Sequence, residues 1–433
     1  MISVNKGVIK ITTNRRAIDY CIDGSLLLLL CSFSTFGAME EGADYVYYAG
    51  FALFAGFTCI KAIYEKLYAG RIFISLHFIW YAGFILLAIS SVLWAHDASA
   101  TLKMISRLVQ ILVISVCVID YADSRANIER ALTILLLSFI VMSVYILVST
   151  PFSQWFSGFI GRDVTGKNTN EIGAMASTGV LIALYKAYIK REWAFYAMIP
   201  LPALVGIMTS SKRSLFLMVG GLALLVFLHT KKRFYVVRII IALAVASAAL
   251  AAVIKIPVLY ESVGKRVVSM FDFFLVGYTK ESSLLKRQLF IETAKGYFYE
   301  HPLVGIGLNN FRVLIVEKGF RTYSHNNYLE IASGLGVAGL VAYYWFYVRL
   351  LVALFRRFMK GSSQTIIFIT LIVLQFIVEY GSVSYYNRSV QVILALGFAA
   401  TAVNPSLAGS RNNNEGGERA ASGYNGQRLA GQV

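Results

Sequence analysis

Apolar segments of about 20 residues recur along most of this chain, and this recurrence constrains the fold more than any other feature. A helix needs about 20 mostly apolar residues to cross the hydrocarbon core of a bilayer. By that rule we predict about twelve membrane spans, near residues 20–38, 43–60, 72–95, 104–121, 131–150, 172–189, 193–209, 214–230, 235–254, 328–348, 364–380 and 389–404. Only 15% of the residues are charged, whereas a soluble protein carries about 25%. The seventh span contains Pro200 and Pro202, so a kink or break is expected there. The sequence therefore predicts an all-α integral membrane protein.

Clusters of lysine and arginine after alternate spans predict the orientation of the protein. Cytoplasmic loops carry an excess of these two residues. The clusters fall on one side if both termini are cytoplasmic, and they comprise Lys61, Lys66 and Arg71; Arg125 and Arg130; Lys186, Lys190 and Arg191; Lys231, Lys232 and Arg233; and Arg349, Arg356, Arg357 and Lys360. Much of the formal net charge of +17 is then a consequence of topology. Nucleic acid is accordingly not an expected partner.

One large loop lies on the predicted outer side, over about residues 255–327. Within it, residues 281–300 have the pattern of an amphipathic helix, which Pro302 ends because the residue before a proline avoids helical geometry. We expect residues 1–404 to form one membrane domain, with the functional site in this loop and a helix starting near residue 325 closing it. Residues 405–433 are polar and rich in glycine, which predicts a disordered cytoplasmic tail.

The segment SHNNYLEIASGLG places His325 where the polar loop meets the next apolar span. Ser324 is a suitable N-cap, because its hydroxyl can accept an N–H bond from the first helical turn. His325 would then lie in that first turn, where the helix dipole favours a neutral imidazole, the form that a general base requires. We interpret Asn326 as an orienting or capping partner. The alternative is a histidine that merely lies at the membrane boundary.

Lys212 and Arg213 occupy a short predicted outward turn between two spans, Thr209 to Ser214. Cations are normally sparse on that side. Helix capping would account for the serines of this turn but not for the two cations. An arginine presents a fixed fork of donors that matches the oxygens of a phosphate group. We therefore predict that Arg213 binds phosphate, with Lys212 in support.

Three glycines follow His325 within the next apolar segment, at Gly334, Gly336 and Gly339. Together with Ala332 and Ala338, they place small residues four positions apart. Such spacing lets membrane helices approach one another closely. We expect these glycines to pack the helix that follows His325 against another membrane helix.

The His325 segment resembles the O-antigen ligase and polysaccharide polymerase family of bacterial envelope enzymes. The matching pattern is His325-Asn326, nine residues, Gly336 and, three further on, Gly339. Upstream, HPLVGIGLNNF after SSLLKRQLFIETAKGYF is similar to the outward loop of that family. Two earlier segments, GRDVTGKNTNEIG and TSSKRSLFL, extend the resemblance, which covers roughly Ile72 to Gly397.

The resemblance implies a glycosyltransferase in the bacterial cytoplasmic membrane, with its active site facing outward. The implied donor is an oligosaccharide on undecaprenyl diphosphate, and no cofactor is implied. His325 would deprotonate the acceptor hydroxyl, and the anomeric centre would be inverted. The diphosphate would be held by Arg213 and Arg287, with Lys286 as a competitor for the latter and Arg162 and Arg321 in reserve. No bound metal is expected, because the carboxylates of the outward loop are scattered.

The acceptor decides the subtype. A polymerase would add the chain to another lipid-linked repeat unit, and the resemblance around SHNNYLEIASGLG favours this subtype. An O-antigen ligase would use lipid A–core instead. A flippase or transporter for lipid-linked oligosaccharide is a third alternative. Membrane lipid and a chain-length regulator are further expected partners.

Overall fold

The computed structural model describes residues 17–36, 44–67, 75–155, 160–229 and 282–403, with scattered positions between 236 and 268. These residues form helices and contain no β-strand. The α-helices described over their whole length are α1 (Ala17–Cys31), α2 (Asp44–Leu67), α3 (Leu76–Ser90), α4 (Ala98–Tyr121), α5 (Arg125–Ser149), α6 (Arg162–Thr165), α7 (Thr169–Leu184), α8 (Pro200–Met208), α9 (Lys212–His229), α10 (Ser282–Glu300), α11 (Phe311–Leu314), α12 (Asn327–Met359), α13 (Thr365–Val378) and α14 (Arg388–Ala402).

Helices suited to a membrane make up most of the described chain. Eight are long and apolar enough to cross a bilayer, and Trp193–Met208, Thr365–Gly381 and Arg388–Ala402 are shorter apolar helices. All eleven overlap spans predicted from the sequence, and the all-helical class is confirmed. The predicted span 235–254, most of the outward loop before residue 282 and the tail 405–433 lie outside the described residues. The count of about twelve spans therefore stays a prediction.

The break expected at Pro200 and Pro202 is present. A 3₁₀ segment, Trp193–Met198, precedes α8, and α8 begins with Pro200 at its first position. A proline fits there because the first N–H groups of a helix have no partner within it. The short α8 then returns the chain to the end of the bundle where α9 begins.

Charged residues mark the opposite end of the bundle. The Glu129 carboxylate lies 2.9 Å from Lys186 Nζ and 2.8 Å from Lys190 Nζ. Gln364 donates to the same carboxylate at 3.1 Å and to the Arg125 carbonyl at 3.1 Å. The basic clusters that the positive-inside argument grouped after α4, α7 and α12 thus lie at one end of the molecule. Which side of the membrane this end faces stays a prediction.

The helix that follows the predicted histidine is broken at Gly336, whose φ of 64° and ψ of −161° are not helical. Residues 302–307 of the preceding loop pack against the helix at this break. Its amides at Ile306 and Gly307 donate to the carbonyls of Ser333 and Gly334 at 2.9 and 3.0 Å, and Val337 N–H donates to the Pro302 carbonyl at 2.8 Å. The loop and the first turns of α12 therefore form one hydrogen-bonded unit.

This break corrects the role expected for the glycines. A Cβ on Gly336 would stand 2.3 Å from the Leu303 backbone, and one on Gly334 would meet Gly307 and Leu308. A Cβ on Gly339 would meet the preceding turn of the same helix at Leu335. The expectation that these residues pack against another membrane helix is wrong, because Gly334 and Gly336 instead admit the loop backbone.

Asn310 fastens the same loop to the start of α4. Its side-chain oxygen accepts the Asp97 N–H at 2.6 Å, and its amide donates to the Thr101 hydroxyl at 2.9 Å. Asn310 directly precedes α11 but makes no side-chain cap there, because these bonds to α4 occupy its amide. The loop is thereby positioned against α4 as well as α12.

Candidate active site

A cavity opens at the end of the bundle where α7, α9, α12 and α14 begin. Its volume is about 1180 Å³, including the part that is open to solvent. The polar part of its lining includes Arg107, Asn168, Asn170, Glu171, Arg213, Arg287, Tyr323, His325, Gln375, Ser384, Tyr386, Asn387 and Ser389. Further along the helices the lining is apolar and includes Phe139, Met175, Leu217, Leu371, Ile372, Ile393 and Leu394. The cavity is therefore amphipathic.

The four helix starts around the cavity are capped by side chains. Asn168, Ser211, Asn326 and Asn387 accept backbone N–H bonds from α7, α9, α12 and α14 at 2.9, 3.3, 3.0 and 3.2 Å. Each helix start carries a partial positive charge, equivalent to roughly half an elementary charge. Four such ends at one cavity favour an anionic ligand.

Arginine side chains add full charges to the same place. Arg107, Arg213 and Arg287 line the cavity from α4, α9 and α10. Among the described residues, no carboxylate lies within ion-pair distance of any of the three. The Nε atoms of Arg107 and Arg213 are buried and have no hydrogen-bond partner. Buried cations without a counterion are costly, so this arrangement is suited to receive an anion.

The helix that follows His325 starts later than the sequence predicted. The N-cap is Asn326, whose side chain accepts the Leu329 N–H, and α12 begins at Asn327. The assignment of Ser324 as the cap is wrong, because its N–H donates to Glu330 Oε2 at 2.7 Å and its hydroxyl donates to the Asn326 carbonyl at 2.9 Å. His325 therefore precedes the helix, with a left-handed φ of 58°.

The His325 imidazole is held between aromatic rings. It stacks on Phe290 with centroids 5.7 Å apart and lies 4.3 Å from the Tyr323 ring. Its Nε2 is 3.3 Å from the Thr322 hydroxyl oxygen. Burial, followed by the repulsion of Arg287, lowers the pKa of His325 from 6.5 to about 4. The ring is therefore neutral at neutral pH, as the sequence predicted, but the causes are burial and Arg287 rather than a place in the first helical turn.

The other cations that the sequence predicted to bind phosphate do not line the cavity. Arg162 and Arg321 are exposed and do not line the cavity, and Lys286 is exposed on α10. Lys212 is half-buried beside Arg213 but is not part of the lining. Of the six predicted cations, only Arg213 and Arg287 line the cavity together with His325.

Several lining residues escaped the sequence analysis, above all Arg107, Glu171 and Asn387. Arg107 lies inside the predicted span 104–121, and an ionisable residue within a span is itself a signal of function. Glu171 and Asn387 look like ordinary helix starts in the sequence. Within the described residues, no group of three or more His, Cys, Asp or Glu side chains is arranged as metal ligands would be.

A comparison with protein families finds a match over part of the chain. Residues 197–344, about a third of the chain, match the family model described as O-antigen ligase. The chain contains an O-antigen ligase family domain. The matched segment carries Arg213, Arg287 and His325, and it confirms the resemblance of the His325 segment, of SSLLKRQLFIETAKGYF and of TSSKRSLFL. The resemblance outside residues 197–344 stays a prediction. No curated protein matches the chain.

The match supports a membrane glycosyltransferase of the O-antigen ligase or polymerase type. The apolar helices of the chain make it a multi-pass membrane protein. Much of the cavity lining comes from outside the matched segment, including Arg107, Glu171 and Asn387.

Proposed function

We propose that this protein is a polysaccharide polymerase that transfers an undecaprenyl-diphosphate-linked oligosaccharide to a second lipid-linked glycan. One observation carries the proposal: Arg213, Arg287 and His325 come from three separate segments and line a single cavity. The same cavity receives the starts of four helices. A diphosphate leaving group requires positive charge, which the two arginines and the four helix starts supply. An acceptor hydroxyl requires a base, which the neutral histidine supplies.

The donor diphosphate binds to Arg213 and Arg287. Their guanidinium groups neutralise the charge that develops on the leaving oxygen, as positioned cations do in place of a metal ion. The apolar part of the lining, along α5, α7, α9, α13 and α14, accommodates hydrocarbon next to the charged group. An amphipathic cavity of this kind suits a lipid diphosphate.

His325 acts as the general base. The acceptor hydroxyl replaces Thr322 as the hydrogen-bond partner of the imidazole and attacks the anomeric carbon. The new C–O bond forms on the face opposite the diphosphate, the bond to the diphosphate oxygen breaks, and the acceptor proton passes to the imidazole. The lipid diphosphate leaves with the electron pair, and the anomeric configuration is inverted. No bound metal takes part in this scheme.

An O-antigen ligase that transfers the glycan to lipid A–core is the second candidate, and the description of the matched family favours it. The polymerase is preferred because of the sequence around SHNNYLEIASGLG. A flippase fits less well, since the charged lining lies at the helix starts at one end of the bundle, whereas transporters bind their substrates near the bilayer midplane.

Reconstitution separates these functions. The purified protein in nanodiscs is given lipid-linked repeat units alone, and products are resolved by gel. A ladder of chains is expected, and it should be absent for His325→Ala. Product that forms only after lipid A–core is added would identify a ligase instead. Absence of any transfer, with donor movement across proteoliposomes, would leave the flippase.

A further inference from the structure

A second group of cations lies in and next to the cavity, in addition to Arg213 and Arg287. Arg107 lines the cavity from α4, Lys167 precedes α7, and Arg388 is the first residue of α14. Within the described part of the chain, Glu171 is the one carboxylate in the cavity lining. Its Oε1 lies 3.7 Å from Lys167 Nζ and accepts a bond from the Asn387 amide at 3.5 Å.

Aromatic rings and an amide hold the two arginines in place. The guanidinium of Arg107 lies 4.7 Å from the Tyr386 ring centre, and that of Arg388 lies 4.0 Å from the Tyr47 ring centre. Arg388 also donates to Gln110 Oε1 at 3.3 Å. Stacking of this kind fixes the plane of a guanidinium and leaves its edge available for hydrogen bonds.

The charges of this group are not balanced in the structure. The Nε atoms of Arg107 and Arg388 are buried without a partner, and in the described residues neither has a carboxylate at ion-pair distance. The two guanidinium groups repel each other. Burial lowers the pKa of Lys167, and the repulsion of Arg107 and Arg388 opposes the attraction of Glu171. The group holds three cations, largely shielded from water, and one carboxylate. The uncompensated positive charge raises the electrostatic free energy, and a bound anion would lower it.

We propose that Arg107, Lys167 and Arg388 form a second anion subsite, which binds a phosphate-bearing group of the acceptor. This assignment of the ligand rests on the function proposed above. The donor diphosphate then occupies Arg213 and Arg287 on the α9 and α10 side, while the acceptor enters from the α4, α7 and α14 side. Glu171 attracts one cation of each group, Lys167 and Arg213.

A binding measurement tests the subsite without turnover. The full-length protein is purified in detergent and titrated with farnesyl diphosphate, and bound equivalents are counted by native mass spectrometry. The wild-type protein should bind two, and Arg107→Gln and Arg213→Ala one each. The expected loss of affinity at the altered site is roughly tenfold to a hundredfold for one charged hydrogen-bonding partner. A single equivalent on the wild-type protein, or two on Arg107→Gln, would overturn the proposal.

The chain supplies a matched control in Lys103, which is exposed one turn earlier on the same helix. Lys103→Gln also removes one positive charge from α4 and should still bind two equivalents. Thermal unfolding of each variant in detergent separates lost binding from lost folding. A second variant, Arg388→Gln, should reproduce the Arg107→Gln result, and retention of both equivalents in it would count against the subsite.

The source of the phosphate is decided by competition. Displacement of the second equivalent by a lipid-linked repeat unit supports an acceptor diphosphate, and displacement by lipid A–core supports a phosphate of that acceptor. Displacement by phosphatidylglycerol alone would assign the group to a membrane phospholipid and overturn its role in acceptor binding.

Kinetics link the subsite to the reaction and separate its failure from that of the proposed function. Arg107→Gln should raise the acceptor KM roughly tenfold or more and leave the donor KM unchanged. If transfer survives His325→Ala, the proposed mechanism fails while the binding stoichiometry still tests the subsite. If His325→Ala is inactive and Arg107→Gln is kinetically normal, the second subsite alone is wrong.

Discussion

His325 has a backbone conformation that residues with a β-carbon seldom adopt, with φ at 58°. The surrounding contacts impose this conformation: Asn326 caps α12, Ser324 bonds to Glu330, and Phe290 stacks on the imidazole. Backbone strain of this kind costs about 1–3 kcal/mol and is concentrated at functional sites. The geometry thus supports a role for the imidazole itself, beyond a preference of histidine for the membrane boundary.

His325→Ala is expected to lower the rate of transfer about 10²–10⁴-fold, which is the usual contribution of a general base. Protein level and thermal stability should change little, since a smaller side chain still permits the Asn326 cap. His301→Ala serves as the control, because His301 is exposed in the same loop. Equal activity of the two variants would remove His325 from the mechanism.

The pH dependence of transfer should show an acid limb. Burial and then Arg287 lower the pKa of His325 to about 4, and only the neutral ring accepts a proton. Activity is therefore present above this pKa and is lost as the pH falls through it. Bound diphosphate offsets the charge of Arg287, which raises the pKa of His325 in the complex. The limb of kcat should accordingly lie at higher pH than that of kcat/KM, and coincident limbs would argue against this coupling.

Arg213→Ala and Arg287→Ala should each severely reduce transfer, while Arg213→Lys recovers only part of the loss, because a point charge returns without the fork. Arg162→Ala and Arg321→Ala are the matched controls, since both side chains are exposed outside the cavity. Donor KM and transfer in EDTA are measured with purified protein. Restoration of EDTA-inhibited activity by magnesium or manganese would contradict the arginine mechanism.

At the scale of elements, the sequence predicted the presence of the helices better than the residues at which they begin and end. Length and hydropathy located eleven apolar helices, and proline placed the end of α10 and the start of α8. The start of α12 was misplaced because Ser324, Asn326 and Asn327 are all acceptable caps, and only the contact of Ser324 with the buried Glu330 decides among them. The break at Gly336 was not predicted, because small residues four positions apart allow either another helix or a loop backbone to approach closely.

Gly336→Ala should lower the free energy of unfolding by about 1–3 kcal/mol. Its Cβ would lie 2.3 Å from the Leu303 backbone, and its φ of 64° suits glycine. Denaturation in detergent measures the change. The control is Gly83→Ala in α3, where no atom lies within 4 Å of the added carbon. That variant should be neutral or slightly more stable, since alanine favours a helix by up to about 1 kcal/mol.

The whole molecule has two chemically different ends. The cavity end gathers the starts of α7, α9, α12 and α14, and the opposite end carries Glu129 with its two lysines and the basic end of α12. Sequence spacing predicted which cations share an end. It could not predict the cavity, because Arg107, Glu171 and Asn387 are far apart in the chain and meet only through helix packing.

Cysteine labelling tests the predicted orientation. After replacement of the natural cysteines, single cysteines at His301 and at Ser363 report the two ends, since both residues are exposed. A membrane-impermeant maleimide added to intact spheroplasts should label His301→Cys and leave Ser363→Cys unlabelled until the membrane is opened. The reverse pattern would place the cavity on the cytoplasmic side, and the proposed outward reaction would then be wrong.

The pairing of the 302–308 loop with α12 limits how fast the segment that carries His325 can move. Separating the two would leave the carbonyls of Ser333, Gly334 and Pro302 without donors, and each unpaired buried group costs roughly 1–3 kcal/mol. Opening of this pairing is therefore rare, and the segment that carries His325 keeps its place from one catalytic cycle to the next. The amides of Ile306, Gly307 and Val337 should accordingly exchange with deuterium slowly, as amides within a helix do, although two of them lie in a loop.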